Sequence, residues 1–219
     1  TVLHPISQIR LNETAKPYAV WSPDSKKIAT FRMDQRSVTP FYLLEYVPDN
    51  NSRPQPWTYK FAMPDEEHVP VYEPIIMDVL EKKVIPVSYK SQPEVSLMDT
   101  DDDVLQWWSD DGQMLYSLFA DRGEKVLHLL EIKPQNGNTK EILKESGPTY
   151  VEANLDYASL PNAKVLKNGD VIWFSEKSGY GHLYLFGKDG VQKNAITTGN
   201  WTVRNLLYVD ETSSLVYFT

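Results

Sequence analysis

The chain has 219 residues, a net charge of -8 and no cysteine. With 41% hydrophobic and 24% charged residues it has the composition of a folded globular protein, and no stretch approaches the roughly 18 consecutive apolar residues of a membrane-spanning helix. The negative charge, without clustered Lys and Arg, argues against nucleic acid as a partner, and the lack of cysteine excludes disulfides and thiolate metal sites.

Short runs of β-branched and aromatic residues, separated by polar turns, predict strands along the whole chain. The predicted strands cover residues 18–22, 27–31, 41–47, 74–79, 104–109, 113–119, 126–132, 163–166, 171–175, 182–186, 201–209 and 215–219. The segment 77–83 has some helical composition, but β-branched residues interrupt it and Pro86 follows. The predicted fold class is therefore all-β.

A repeat underlies these strands. Four segments, beginning at Trp21, Trp108, Leu166 and Tyr208, share an apolar strand end, a polar turn and an alternating strand. Their shortest spacing is close to the roughly 40 to 50 residues of a four-stranded propeller blade, and the Pro-rich stretch 36–70 explains the longest as an insertion. We predict a partial β-propeller of about three to four blades, and expect the chain to be a segment of a larger protein because such repeats bury their faces only by stacking.

One block carries a family resemblance. Trp173-Phe-Ser-Glu-Lys-Ser-Gly-Tyr-Gly-His-Leu-Tyr-Leu-Phe precedes Ile196-Thr-Thr-Gly-Asn-Trp-Thr-Val. Together they closely resemble the N-terminal β-propeller of dipeptidyl peptidase IV-like serine peptidases, in the prolyl oligopeptidase family. The similarity extends, thinly in places, from Trp21 to Thr219, so residues 1–219 are predicted to be a segment of that propeller domain.

The resemblance implies a serine exopeptidase that cleaves short peptides. In such a protein the propeller gates access to the protein's own C-terminal α/β-hydrolase domain, binds the amino terminus of the peptide substrate through acidic residues, and belongs to a homodimer. The family suggests the bacterial periplasm or secretion, and the cytoplasm stays open. No Gly-x-Ser-x-Gly nucleophile elbow occurs, so no catalytic residue is assigned within this chain, and no cofactor is expected. The alternative is a non-catalytic propeller that serves as a binding scaffold.

The family's paired glutamates differ here. They lie just upstream of the Trp-Ser-Pro signature, where this chain has Arg10-Leu-Asn-Glu13. The chain's Glu-Glu pair is Glu66-Glu67, which we interpret first as a charged loop tip and alternatively as two carboxylates that hold a substrate ammonium group. Arg36 is a third substrate-binding candidate, although pairing with Asp34 is the favoured interpretation of its role.

No metal site is expected. The four histidines, His4, His68, His128 and His182, are widely spaced and are predicted to be satisfied strand residues. The acidic run 99–103 lacks the Gly and the distant Glu of a calcium loop, so we interpret it as a solvated turn before a strand.

Overall fold

A computed structural model describes residues 18–49, 51–89, 92–93, 106–152 and 161–219. Every regular element in these ranges is a strand, which confirms the all-β prediction. The strands are β1 (Val20–Trp21), β2 (Lys27–Asp34), β3 (Pro40–Glu45), β4 (Gln55–Lys60), β5 (Val71–Asp78), β6 (Lys83–Pro86), β7 (Gln92–Pro93), β8 (Gln106–Trp108), β9 (Leu115–Ala120), β10 (Val126–Ile132), β11 (Thr139–Ser146), β12 (Ala163–Val165), β13 (Val171–Ser175), β14 (His182–Phe186), β15 (Gln192–Ala195), β16 (Leu206–Asp210) and β17 (Leu215–Phe218).

The strands form four antiparallel sheets in chain order and one separate hairpin. The first sheet has the order β1-β2-β5-β6, with β7 also paired to β5. The second runs β8 to β11 and the third β12 to β15, each as a four-stranded meander, and the fourth is the pair β16-β17. This is the predicted partial propeller, with three blades and the first half of another among the described residues.

Three apolar clusters hold neighbouring sheets face to face. Phe31 and Ile76 of the first sheet pack with Leu115 and Phe119 of the second. The opposite face of the same strand β9 carries Leu118, which belongs to the cluster shared with the third sheet. Because side chains alternate between the two faces of a strand, β9 serves two cores at once. A third cluster joins the third sheet to the fourth through residues including Phe174, Leu183 and Val216.

The predicted strands are partly confirmed. The bounds of β10, β13 and β14 match the prediction to the residue. Prediction missed β4, β6, β7, β11 and β15, and it was wrong about residues 201–205, because the last strand pair begins only at Leu206.

The hairpin β3-β4 stands apart from the four sheets. It lies in the connection between β2 and β5 and pairs only with itself, from Pro40 opposite Lys60 to Glu45 opposite Gln55. Aromatic rings of Phe41, Tyr59 and Phe61 pack along it with centroids 5.6 to 5.8 Å apart. We call β3 and β4 the arm, and the residues 61–70 that lead from it to β5 the arm loop.

Candidate functional site

The stacked sheets have two different ends. Strands alternate in direction, so in each of the first three sheets the turn between the first and second strands lies at one end, and the connection between the second and third strands lies at the other. Short turns at 22–26, 109–114 and 166–170 form the tight-turn end. The opposite end carries the connections 35–70, 121–125 and 176–181, and we call it the long-connection end.

At the tight-turn end, two sheets repeat one hydrogen-bond scheme. The Ser22 hydroxyl donates to Asp24 Oδ1 over 2.7 Å and accepts the Lys27 N–H at 2.9 Å. Ser109 donates to Asp111 Oδ1 over 2.6 Å and likewise accepts a backbone N–H. In both turns the serine hydroxyl is the main cause that lowers the pKa of the aspartate. In these two turns the sequence Ser-x-Asp therefore stabilises the turn through side-chain hydrogen bonds.

Neighbouring sheets also contact each other at this end, through residues in or next to the turns. Lys164 Nζ lies 3.6 Å from Asp110 Oδ1, and the Lys167 N–H donates to Glu211 Oε2 over 2.8 Å. Two cavities of about 350 Å³ each open here. Both are lined by Trp107, Asp110, Lys164, Lys167 and Glu211. Volumes of this size suit a small ligand or a short peptide segment.

Two of the predicted substrate-binding residues lie in the arm loop, at the long-connection end. Glu66 is half-buried, and its Oε2 accepts the N–H of Met63 at 3.0 Å, so this carboxylate closes its own turn. Glu67 is exposed. The structure thus places a charged loop tip here, and Glu67 presents the carboxylate more open to solvent.

Arg36 lies between β2 and the arm and is paired. Its Nε and Nη2 donate to the two carboxylate oxygens of Asp34 at 2.9 and 2.6 Å. These hydrogen bonds, together with one from the Arg36 backbone, lower the pKa of Asp34 to about 2. The pairing agrees with the favoured interpretation of Arg36, and a role toward a substrate carboxylate stays a prediction.

Further carboxylates gather at the same end, where sequence reasoning did not look for them. Burial is the main cause that raises the pKa of Tyr150, followed by the charges of Glu152, Glu124 and Glu176. These four residues come from three different connections, so no spacing in the sequence links them. With Asp65, Glu66 and Glu67 in the arm loop, they make the long-connection end rich in acidic groups.

The block that carries the family resemblance has a structural role in the third sheet. His182 is buried, with Nδ1 3.0 Å from Thr197 Oγ1 and Nε2 3.0 Å from the Gly199 carbonyl oxygen. Since a carbonyl only accepts, Nε2 carries the proton and the Thr197 hydroxyl donates to Nδ1. The indole of Trp201 packs edge-on against His182 and stacks on Phe218, so it joins the third sheet to the fourth.

Glycine and tryptophan in the same block are fixed by close packing. A Cβ on Gly181 would lie 2.3 Å from Cζ of the buried Phe174. Trp173 Nε1 and the Ser175 hydroxyl both donate to the carboxylate of Glu145, on the last strand of the second sheet, at 2.5 Å. Residues of this block therefore join the third sheet to the second and to the fourth.

The histidines differ in outcome. His182, with both ring nitrogens bonded, is the satisfied strand histidine that the sequence predicts. His128 is also a buried strand residue, with Nδ1 2.7 Å from Glu141 Oε2 and Nε2 3.3 Å from Asp121 Oδ2, but within the described residues its Nε2 makes no hydrogen bond. His68 is exposed in the arm loop, so the prediction of a strand histidine was wrong there; the preceding acidic residues and the flanking prolines favour a loop.

Other predicted features lie outside the described residues, namely His4, the segment 10–13 and the acidic run 99–103. Within the described part of the chain, no three His, Asp or Glu side chains are grouped so as to hold a metal ion. No described helix is long and apolar enough to cross a membrane.

The stacked four-stranded meanders define the class of this protein as a β-propeller segment. The whole chain compares well with solved structures of this kind. A crystal structure of dipeptidyl peptidase 4 from Porphyromonas gingivalis matches 99% of the chain with a TM-score of 0.71 and 23% sequence identity, and the match covers 29% of that protein. Structural similarity at 23% sequence identity establishes the fold and no more.

The family follows from the sequence comparison. The family model described as the dipeptidyl peptidase IV (DPP IV) N-terminal region matches residues 13–219, and the chain belongs to that family. Curated relatives include a dipeptidyl peptidase 4 of Arthroderma otae, 24% identical over 210 residues, and one of Trichophyton rubrum, 22% identical over 210 residues. Each alignment covers 92% of this chain and 26% of the relative, so the chain spans about a quarter of the relatives it matches.

Proposed function

We propose that this chain is the substrate-gating propeller segment of a serine exopeptidase that removes dipeptides from short peptides. The observation that carries the proposal is the match of residues 13–219 to the dipeptidyl peptidase IV N-terminal region. The catalytic α/β-hydrolase domain would then lie elsewhere in the same polypeptide. Residues 1–219 contribute a wall of the substrate chamber and none of the catalytic triad.

The acidic long-connection end supports a role in binding a peptide amino terminus. An ammonium group is held by charge-assisted hydrogen bonds to carboxylates, which are stronger than neutral ones. Glu67 is the most open carboxylate of the predicted pair, whereas the Glu66 carboxylate already accepts a backbone N–H. We therefore assign Glu67 the contact with the substrate and Glu66 the shape of the loop.

Hydrolysis of Gly-Pro and Ala-Pro chromogenic substrates tests the proposal. The full-length protein should cleave both and should not cleave their N-acetylated forms, whereas residues 1–219 alone should be inactive. An inactive full-length protein would favour the binding-scaffold alternative. Glu67→Gln should raise KM about tenfold with little change in kcat, because a binding contact is lost. Glu81→Gln is the matched control, since Glu81 is an exposed carboxylate at the tight-turn end.

We also propose that a second copy of the chain docks on the arm. An isolated two-stranded hairpin is only marginally stable in water, yet Leu43, Leu44, Tyr46 and Val47 all stand exposed on or beside this one. Clustered exposed apolar groups mark interaction surfaces, and the homodimer implied by the family resemblance supplies an occupant.

Sedimentation of the full-length protein tests this interface. The double substitution Leu44→Asp with Val47→Asp should shift a dimer to a monomer. Val191→Asp is the control, because the exposed fraction of Val191, 63%, lies between those of Leu44 and Val47, 48% and 87%, while Val191 lies in a turn of the third sheet. A dimer that persists in the double variant would place the interface elsewhere.

A further inference from the structure

The arm leaves the first sheet through residues 35–39 and returns to it through the arm loop, and it pairs with no strand of the other described sheets. At its base, Val38 is buried and its carbonyl oxygen accepts a hydrogen bond from Lys60 Nζ at 2.6 Å. This contact closes the arm on itself. Because both residues belong to the base of the arm, this contact does not fix the direction of the arm relative to the other sheets.

Arg122 of the second sheet reaches the arm loop. It lies in the turn between β9 and β10, and Nη1 donates to the carbonyl oxygen of Glu66 over 2.6 Å. Nη2 donates to the carbonyl of Pro64 over 2.7 Å and lies 3.5 Å from that of Met63. The three carbonyls converge because Met63 and Glu66 are the two ends of one turn, closed by the Glu66 N–H to the Met63 carbonyl at 3.1 Å.

The chemistry of this contact suits arginine. A planar guanidinium presents several N–H groups in a fixed fork, so one side chain binds several acceptors in one geometry. Lysine would bring one small ammonium group on a flexible stem. The partners are 56 to 59 residues away in the sequence and lie in the arm loop, so the contact joins a connection of the first sheet to the second sheet.

The turn that carries Arg122 is itself anchored. The Asp121 N–H donates to the Val126 carbonyl at 2.9 Å, which closes the turn. Asp121 Oδ2 also lies 3.3 Å from the ring of the buried His128, whose other nitrogen contacts Glu141 of β11 at 2.7 Å. A short chain of contacts therefore runs from β11 through His128 and Asp121 to the turn.

We propose that Arg122 is a latch that fixes the arm loop against the second sheet and so sets the direction of the arm. The anchored turn is the fixed side of the latch, and the turn Met63–Glu66 is the movable side. The latch does not depend on what the arm binds, and it goes beyond the gating and self-association proposed above.

Hydrogen exchange of the full-length protein tests the latch in Arg122→Ala, Arg122→Lys and Lys125→Ala. In Arg122→Ala, amides of residues 61–70 should exchange at least tenfold faster, while those of β9 and β10 keep their rates. Trypsin cleavage after Lys60 should accelerate similarly. Arg122→Lys should fall between this variant and the unsubstituted protein. Lys125→Ala is the matched control, because Lys125 is an exposed cation on the same turn and should change neither readout.

Two results would overturn the proposal. Unchanged exchange in residues 61–70 of Arg122→Ala would show that the arm loop is held by other contacts. Equal acceleration in β9 and β10 would show that Arg122 supports its own sheet instead. Repeating the measurement at two protein concentrations, tenfold apart, separates protection by the latch from protection by self-association, so failure of the dimer proposal does not affect the result.

Discussion

The stacked sheets and the arm are built from the same kind of strand but are stabilised differently. Each inner sheet buries both faces, and β9 is buried along its whole length. In the arm every residue of β3 except Phe41 is exposed. Burial of apolar area is the main favourable term in folding, so the sheets carry the stability of the molecule, and the arm contributes little of it.

The two regions therefore constrain their residues differently. A residue in the stack is constrained from two sides by neighbouring sheets, whereas a residue in the arm is constrained mainly by its cross-strand partner. The arm can therefore carry exposed apolar and charged groups without loss of core packing. Substitutions in the stacked sheets should consequently lower the free energy of unfolding more than substitutions in the arm do.

The largest difference between the two regions is expected when one tryptophan in each is replaced by alanine. Trp173→Ala removes a buried indole between the second and third sheets and leaves Glu145 without one of its donors. We expect a loss of about 4 kcal/mol in the free energy of unfolding. Trp57→Ala in the arm, where the indole packs on Tyr59 with centroids 5.0 Å apart, should cost less than about 1 kcal/mol. Urea unfolding followed by circular dichroism measures both.

Equal losses for the two tryptophans would contradict this division of the molecule. If Trp173→Ala does not fold, Trp173→Phe keeps most of the ring volume while it removes the N–H donor to Glu145. It should then lose about 1 to 2 kcal/mol, which still exceeds the effect at Trp57.

The sequence predicts inner strands better than outer ones, for a physical reason. Strands β10, β13 and β14 are paired on both edges and packed on both faces, so they consist mainly of apolar and aromatic residues. The outermost strand β11, Thr139–Ser146, carries Lys140, Glu141 and Lys144 because its free edge and much of its surface meet solvent. Such a strand has the composition of a loop or a helix, and only its pairing with β10 makes it a strand.

The candidate site was less predictable than the fold. The pair Glu66-Glu67 is visible in the sequence, but its attachment to Arg122 joins segments that only the stacking of sheets brings together. The same holds for Tyr150 and the carboxylates around it. Turn chemistry is local and therefore predictable: Asn168-Gly169 marks a turn because Gly169 has a positive φ of 86°.

A middle-sized effect is expected at Thr197, which secures the end of the third sheet. Its Oγ1 accepts the N–H of Leu183 at 3.0 Å and bonds His182 Nδ1 at the same distance. Thr197→Val keeps the shape but leaves a buried N–H and an imidazole nitrogen without this partner, which should cost about 2 kcal/mol in unfolding free energy. Thr197→Ser keeps the hydroxyl and should lose less than half as much. A valine variant as stable as the serine variant would show that packing alone holds this strand end.

The smallest effect is expected from two aspartates, the half-buried Asp34 beside the arm and the exposed Asp111 in a turn of the second sheet. Hydrogen bonds from Arg36 lower the pKa of Asp34 to about 2, whereas the neutral Ser109 hydroxyl is the main cause that lowers the pKa of Asp111. A lowered carboxyl pKa stabilises the folded state above the unfolded value, near 4, and this contribution is lost as the pH falls through the folded pKa. For Asp34 the loss should fall between about pH 4 and pH 2.

Carboxyl titrations by nuclear magnetic resonance distinguish the two causes. Arg36→Ala should return the pKa of Asp34 toward its ordinary value of 3.8, and Ser109→Ala should do the same for Asp111. Because salt screens charges at exposed sites, 1 M salt, where the Debye length is about 3 Å, should raise the pKa of Asp34 and leave that of Asp111 nearly unchanged. If salt changed both pKa values equally, long-range charge, and not the local hydrogen-bond donor, would determine the pKa of both aspartates.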